Sequence, residues 1–287
     1  MRAPKLSLLS TVLVFLAVAA PYPAQASPAD YEDFGVFSTS CDFSHANRDD
    51  PILYPGEEGR AHRHHFLGNT TTDYATTTRS LKNGETNCDR PQDKSAYWAP
   101  AVYLDGVEVP FEATHVYYRN GNVTDKHLMV PFPRGLRMIA GTTAYPEPPP
   151  GVRTAEWACH GSANVVSDDI PRTCASQKLI GTITFPSCWD GERLTTTDQS
   201  HMTYPWQNTD QPRTCPSTHP VVLPELTEWF RWDLETTDMR RVTLASGDGD
   251  TLHGDFWNAW NQKALSRLVT QCLLGGLTCG TVGNGSP

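Results

Sequence analysis

Eight cysteines limit what this 287-residue chain can fold into more than any other feature. They are Cys41, Cys88, Cys159, Cys174, Cys188, Cys215, Cys272 and Cys279. An even set in an exported chain implies a disulfide framework. A thiolate zinc site is the rival reading, but no Cys-x-x-Cys pair occurs. Four bridges are expected. Sequence proximity suggests Cys159–Cys174, Cys188–Cys215 and Cys272–Cys279, although eight cysteines admit many other pairings.

Export itself is read from the first residues. Arg2 and Lys5 are followed by an apolar run from Leu8 to Ala20, then Pro21, Pro23 and the small-x-small triplet Ala24-Gln25-Ala26. This is the pattern of a signal peptide over residues 1–26, cleaved after Ala26 to leave Ser27 first. An uncleaved membrane anchor is the alternative, but the run falls short of the roughly 20 residues a spanning helix needs. Net charge is −9, with no lysine or arginine cluster. Nucleic acid and anionic membrane surfaces are therefore poor partners. Asn69-Thr70-Thr71, Asn122-Val123-Thr124 and Asn284-Gly285-Ser286 are possible glycosylation acceptors.

Short apolar stretches separated by proline and glycine predict strands at Ala101–Leu104, His115–Tyr118, Leu136–Ala140, Leu179–Phe185 and Arg241–Ala245. Phe256, Trp260, Ala264, Leu268 and Cys272 recur every fourth residue, which predicts an amphipathic helix. Asp255 would cap its start, and Gly275-Gly276 would end it. The proline-dense segment 145–151 reads either as a linker or as a surface loop, and the loop reading gives one secreted domain over 27–280 with a flexible tail at 281–287. The expected fold is mainly β, a single-domain sandwich or jelly roll with one C-terminal amphipathic helix. A monomer is expected.

Four blocks concentrate reactive side chains. In the first, His62-Arg63-His64-His65, a strand would put His62 and His64 on one face, as a metal pair or as base and orienter. The second contains Asp190, Asp198, His201 and Tyr204; the third carries His219 beside Cys215. The fourth runs from Asp248 through His253 to Asp255, where a helix start would favour an anion. Trp98, Trp189 and Trp206 lie among prolines and polar residues and are candidate sugar platforms. No Gly-x-Ser-x-Gly, His-Glu-x-x-His or phosphate-loop motif is present, and Asp248-Gly249-Asp250 lacks the rest of a calcium loop.

Six motifs follow one another in order: His62-x-His64-His65-Phe66-x-Gly68-Asn69, Ser95-x-Tyr97-Trp98-x-Pro100, Cys188-Trp189-Asp190-Gly191, Ser200-His201-Met202-x-Tyr204-Pro205, Cys215-Pro216-x-x-His219-Pro220 and His253-Gly254-Asp255-Phe256. Together they resemble the secreted domain-of-unknown-function family nineteen-ninety-six of actinobacteria and filamentous fungi, from about Phe34 to Cys272. The resemblance implies one secreted domain and carries no catalytic assignment. Members often have paired cysteines near the first strand, where this chain has only Cys41.

The leading functional expectation is an extracellular polysaccharide-cleaving hydrolase or lyase. A hydrolase would draw its two carboxyls from Asp190, Asp198, Asp248 and Asp255. A lyase would use His64 or His201 as base, with Arg63 or a bound divalent metal neutralising a uronate carboxylate. The wider catalytic set is His64, Asp190, His201, His253 and Asp255; the substrate-binding set is Arg63, Asn69, Trp98, Trp189, Tyr204 and His219. A metal would sit on His62, His64 and His201. The other classes are a non-catalytic binder of cell-wall glycan and a metal-binding surface protein that adds His253 to those histidines.

Overall fold

The computed structural model describes residues 34–280 except 122, 142–147, 149–151, 163–164 and 209–210. The leader, the proline-dense segment, the C-terminal tail and the acceptor positions Asn122 and Asn284 lie outside the described residues. Eleven strands build two facing sheets: β1 (Val36–Thr39), β2 (Phe43–Asn47), β3 (His64–Gly68), β4 (Ala96–Pro100), β5 (Ala113–Arg119), β6 (Arg137–Gly141), β7 (Ala155–Cys159), β8 (Lys178–Thr184), β9 (Glu225–Asp233), β10 (His253–Trp257) and β11 (Thr278–Cys279). One sheet has the order β11-β1-β5-β9-β8-β7, the other β2-β3-β4-β10-β6. Only the β1–β11 pair within these sheets is parallel. The fold is a β-sandwich, as the punctuated apolar stretches predict, and each of the five expected strands is present.

Between the sheets lies a core of Leu67, Tyr97, Met138 and Phe256 from one side and Phe37, Val116, Ile183 and Phe230 from the other. Alternation along each strand sends the intervening side chains outward. On the five-stranded sheet that outer face is also covered, by the segment around Ile52 and by helix α1 (Thr78–Asn83), whose Leu81 joins Phe66, Trp98, Ile139 and Trp257 in a second apolar cluster. Strands β3, β4 and β10 are consequently buried at every position.

Four disulfides staple the sandwich: Cys41–Cys88, Cys159–Cys174, Cys188–Cys215 and Cys272–Cys279. The three proximity pairs are among them. No described helix is long and apolar enough to cross a membrane.

The C-terminal helix is shorter than its periodicity predicts. Phe256 and Trp257 belong to strand β10, and helix α2 occupies only Gln262–Leu268 before a π-helical turn at Val269–Leu273. Asn261 caps it, its side chain accepting from the Ala264 amide at 3.1 Å. Asp255 is therefore no helix cap, and no helix start faces His253. Fourfold spacing beginning at Phe256 keeps residues on one strand face as well as on one helix face, so the pattern ran past the true boundary.

Candidate functional site

Strands β3 and β10 flank β4 and bring two distant histidines onto one face. His64 lies opposite Pro100 on β4, while His253 enters two residues ahead of Asp255, which lies opposite Trp98. His62, just before β3, leans over both. Its ring centroid is 4.2 Å from that of His64 and 5.0 Å from that of His253. One ring nitrogen from each of the three lies within 4.8 Å of the others.

Backbone carbonyls set the tautomers. The Nδ1 of His64 contacts the Asp49 carbonyl at 3.0 Å, and the Nδ1 of His253 contacts the Thr251 carbonyl at 2.9 Å. A carbonyl only accepts, so each Nδ1 carries the proton and each Nε2 presents its lone pair. Such a partner behind the ring is what orients a metal-binding imidazole. Burial holds the His64 pKa well below the usual imidazole value, with its neighbours His62 and His253 adding to the effect. Burial also takes His253 down to about 4. His62 is lowered too, by burial first and then by the nearby Arg48 guanidinium. All three rings are neutral at pH 7, the form that ligates metal.

The spacing matches a shared ion. Nε2 of His62 and Nε2 of His253 are 3.2 Å apart. Two nitrogens on a tetrahedral zinc at its usual bond length stand about 3.3 Å apart. His64 Nε2 is buried without a hydrogen-bond partner. An orphaned buried acceptor costs about 1–3 kcal/mol, which a coordinated cation would offset.

Buried carboxyl groups gather about Asp255, two residues along β10 from His253. Asp255, on the same face of β10 as His253, is buried with both oxygens unpartnered. Burial drives its pKa well above the usual carboxylate value, and the charges of Asp50 and Glu228 push the same way. Asp50 is itself raised by burial, although its Oδ1 accepts from the Ile52 and Leu53 amides at 2.9 Å. Glu228 projects from β9 into the sandwich interior, unpartnered and strongly raised by burial. Gly254 makes room for it: a Cβ there would meet Glu228 Oε2 at 2.6 Å. The ionised carboxylates would gain a counter-charge if a cation entered.

The other expected site residues are placed elsewhere. His201 is buried, its Nε2 donating to the Arg137 carbonyl at 2.7 Å while Thr196 Oγ1 sits 3.1 Å from Nδ1. Arg137 also donates to the Leu194 carbonyl at 2.9 Å, so the 194–201 loop covers the free edge of β6. Arg137 pairs with Trp257, four strand steps from His253, or about 13 Å. His201 does not join the histidine cluster. Asp190 closes its own turn, accepting from the Glu192 and Arg193 amides and from Arg193 Nε at 2.6 Å. Asp198 accepts from the Ser200 amide. His219 Nε2 donates to the Ser200 carbonyl at 3.0 Å. The second and third blocks thus fold together, apart from the first and fourth. Asp248 precedes a single 3-10 turn and makes no capping bond from its side chain.

Substrate-facing expectations fare unevenly. Trp98 is fully buried against Phe66 and offers no exposed platform. Tyr204 is buried and donates to the Thr184 carbonyl, and half-buried Trp189 donates to the Arg193 carbonyl. Trp206 is exposed, at 59%. Arg63 is engaged by Glu108, which also accepts from His65 Nε2 at 3.0 Å, so it is not free to meet a uronate. Asn69 is buried inside a turn, its Nδ2 donating to the Leu81 and Lys94 carbonyls and its Oδ1 accepting from Thr71. A second group of candidate ligands, Cys41, Cys88 and Asp93, is closed to metal because the two sulfurs are bonded to each other. Beside the free edge of β2 runs an open groove of about 650 Å³, lined by Phe43, Ser44, His45, Asn47, Thr70 and Asn87 among others. Asn47 stands directly opposite His64 in the β2–β3 register.

Sequence reasoning did not single out Arg48, Asp50 or Glu228. Arg48-Asp49-Asp50 immediately precedes a proline, and that dense charge, about a dozen residues ahead of the histidine block, was the available signal. Glu228 sits in an apolar β9 run, Leu226 to Trp232, where a lone carboxyl on the inward-facing register is the signal.

Fold and cluster define the chain as a disulfide-bridged β-sandwich with a three-histidine centre on the covered outer face of one sheet. It belongs to the family described as Domain of unknown function (DUF1996), which matches residues 50–260. Neither the curated proteins nor the solved structures offer a match. The matched span contains His62, His64, His253 and Asp255, whereas helix α2 and the Cys272–Cys279 bridge lie beyond it.

Proposed function

We propose that this protein works outside the cell and holds one divalent transition-metal ion on the Nε2 atoms of His62, His64 and His253, using it to cleave polysaccharide. The observation that supports it best is the convergence of three neutral imidazoles, two of them locked with Nδ1 protonated by backbone carbonyls. An all-imidazole set suits zinc, copper, nickel or iron better than calcium or magnesium. Three protein ligands leave a position open, the arrangement of catalytic rather than structural zinc sites. A bound ion would supply a Lewis acid and an acidified water. The chain supplies the rest: Asp49 and Thr251 carbonyls orient the rings, Asp255, two residues from His253 on the same strand face, would gain a counter-charge from the ion, and partly exposed His62 marks the open side. The polar groove beside β2 is the segment-sized surface on which a glycan would lie.

The test is a titration of metal-free protein with zinc and copper against a chromophoric chelator. One ion per chain is expected, lost in His64→Ala and His253→Ala and kept in His201→Ala. Equal binding by all four proteins would overturn the site. Metal-loaded protein is then screened on a polysaccharide panel for reducing ends and unsaturated products, with chelator as control. Activity indifferent to chelator and to His64→Ala would overturn the metal-dependent cleavage.

A further inference from the structure

We infer that Arg48 is the substrate-recognition residue of this centre and that the glycan it receives carries a carboxylate, as in a uronate-containing polysaccharide. This rests on the metal-centre reading above. The backbone pins Arg48 just after β2, across from the single segment that carries His62 and His64. Asn47 pairs with His64, the Arg48 carbonyl accepts from the Ala61 amide at 2.9 Å, and the Asp49 carbonyl holds the His64 ring. The Arg48 side chain is exposed, and its backbone bond to Ala61 sets it next to His62, the one partly exposed ring of the three.

The neighbouring charges are already engaged. Asp49 turns inward, its carboxylate accepting from the Gly59 and Tyr74 amides. Asp50 is buried on the Ile52 and Leu53 amides. Arg60 pairs with Glu57 and covers the Tyr54 ring, and Arg63 pairs with Glu108. Among the described residues Arg48 forms no ion pair and no side-chain hydrogen bond, in a chain with 32 acidic against 23 basic residues. A guanidinium left unpaired beside a metal-binding face, where carboxylates outnumber cations, has the geometry to take a planar carboxylate in bidentate fashion. The overall negative charge opposes an acidic polymer, so recognition depends on this local cation together with the ion. Neutral glycans gain nothing from it.

The experiment uses zinc-loaded protein and matched oligosaccharides of galacturonate, mannuronate and glucuronate, each also as its methyl ester. Binding is followed by calorimetry, and zinc content is measured on the same samples. At least one free acid is expected to bind, and its ester to bind about ten- to a hundredfold more weakly, the value of a charge-assisted bond. Arg48→Gln should show the same loss on the acid and none on the ester, with zinc stoichiometry unchanged; Arg48→Lys should fall between. Equal binding of acid and ester, an unaffected Arg48→Gln, or no binding of any uronate by fully zinc-loaded protein would overturn the inference. A protein that fails to load zinc would instead overturn the metal centre on which it rests.

Discussion

Replacing Glu228 by glutamine should change how stability depends on pH, more than it changes stability at any one pH. The carboxyl is buried between the sheets with neither oxygen hydrogen-bonded, and burial raises its pKa well above 4.5. Below about pH 4 the group is protonated whether the chain is folded or not, and no linkage arises. Above that, the unfolded chain ionises while the folded chain stays neutral, so the unfolded state gains up to about 1.4 kcal/mol per pH unit. From about pH 5 upward the wild type should therefore lose stability relative to Glu228→Gln, by at most about 1.4 kcal/mol per pH unit. A constant offset from placing an amide in the same site applies at every pH and leaves this trend intact. The assay is urea denaturation of chelator-treated protein at half-unit pH steps, disulfides intact. Asp255 adds its own slope to both proteins, and burial, the main cause of its raised pKa, acts in both; only the smaller influence of Glu228 on it differs. Parallel stability curves for the two would show that Glu228 is ionised or solvated in the fold, and the account of a neutral carboxyl beneath Gly254 would be refuted.

Other perturbations have equally definite outcomes. His201→Ala should lower stability by about 2 kcal/mol, because two buried polar contacts at the β6 edge are lost, with zinc stoichiometry unchanged; a loss of zinc would place His201 at the centre after all. Removing the Cys188–Cys215 bridge by double serine substitution releases a 27-residue separation and should cost about 3.5 kcal/mol in denaturant unfolding; an unchanged midpoint would contradict it. Burial lifts the Asp93 carboxyl to about 7 despite its bonds to Tyr97 and Ser95, so carbon-detected NMR should find its midpoint near neutrality rather than in the ordinary carboxylate range. Because that pKa is raised, ionisation of Asp93 in the unfolded chain erodes stability as pH climbs from about 4 to 7.

The sequence was most legible where one physical signal dominated. Cysteines close in the chain pair with each other, so Cys159–Cys174, Cys188–Cys215 and Cys272–Cys279 were within reach of spacing alone. Strands with one wet side, such as Ala113–Arg119, were readable from their residue types. Strands β3, β4 and β10 were harder, because a sheet covered on both faces erases the polar–apolar alternation that marks a strand. That erasure turned His253–Trp257 into an apparent helix start. It also kept His253 out of the principal metal set, which sequence reasoning built from His62, His64 and His201, with His253 entering only in the alternative of a metal-binding surface protein. Nothing in residue spacing states that β4 lies between β3 and β10; strand order is a tertiary fact, and it alone brings residues 62, 64 and 253 together.

The tightly engaged Asn69 bears on how the protein is made. Its acceptor triplet, Asn69-Thr70-Thr71, is attractive to glycosylation machinery only while the nascent chain is open. Once the turn after β3 closes, the amide is enclosed by Leu81, Lys94 and Thr71. A sugar attached there beforehand would keep α1 from docking, so modification and native closure exclude each other. In a glycosylating host, mass spectrometry of correctly folded product should find residue 69 bare, and molecules carrying a sugar there should be retained or degraded rather than exported.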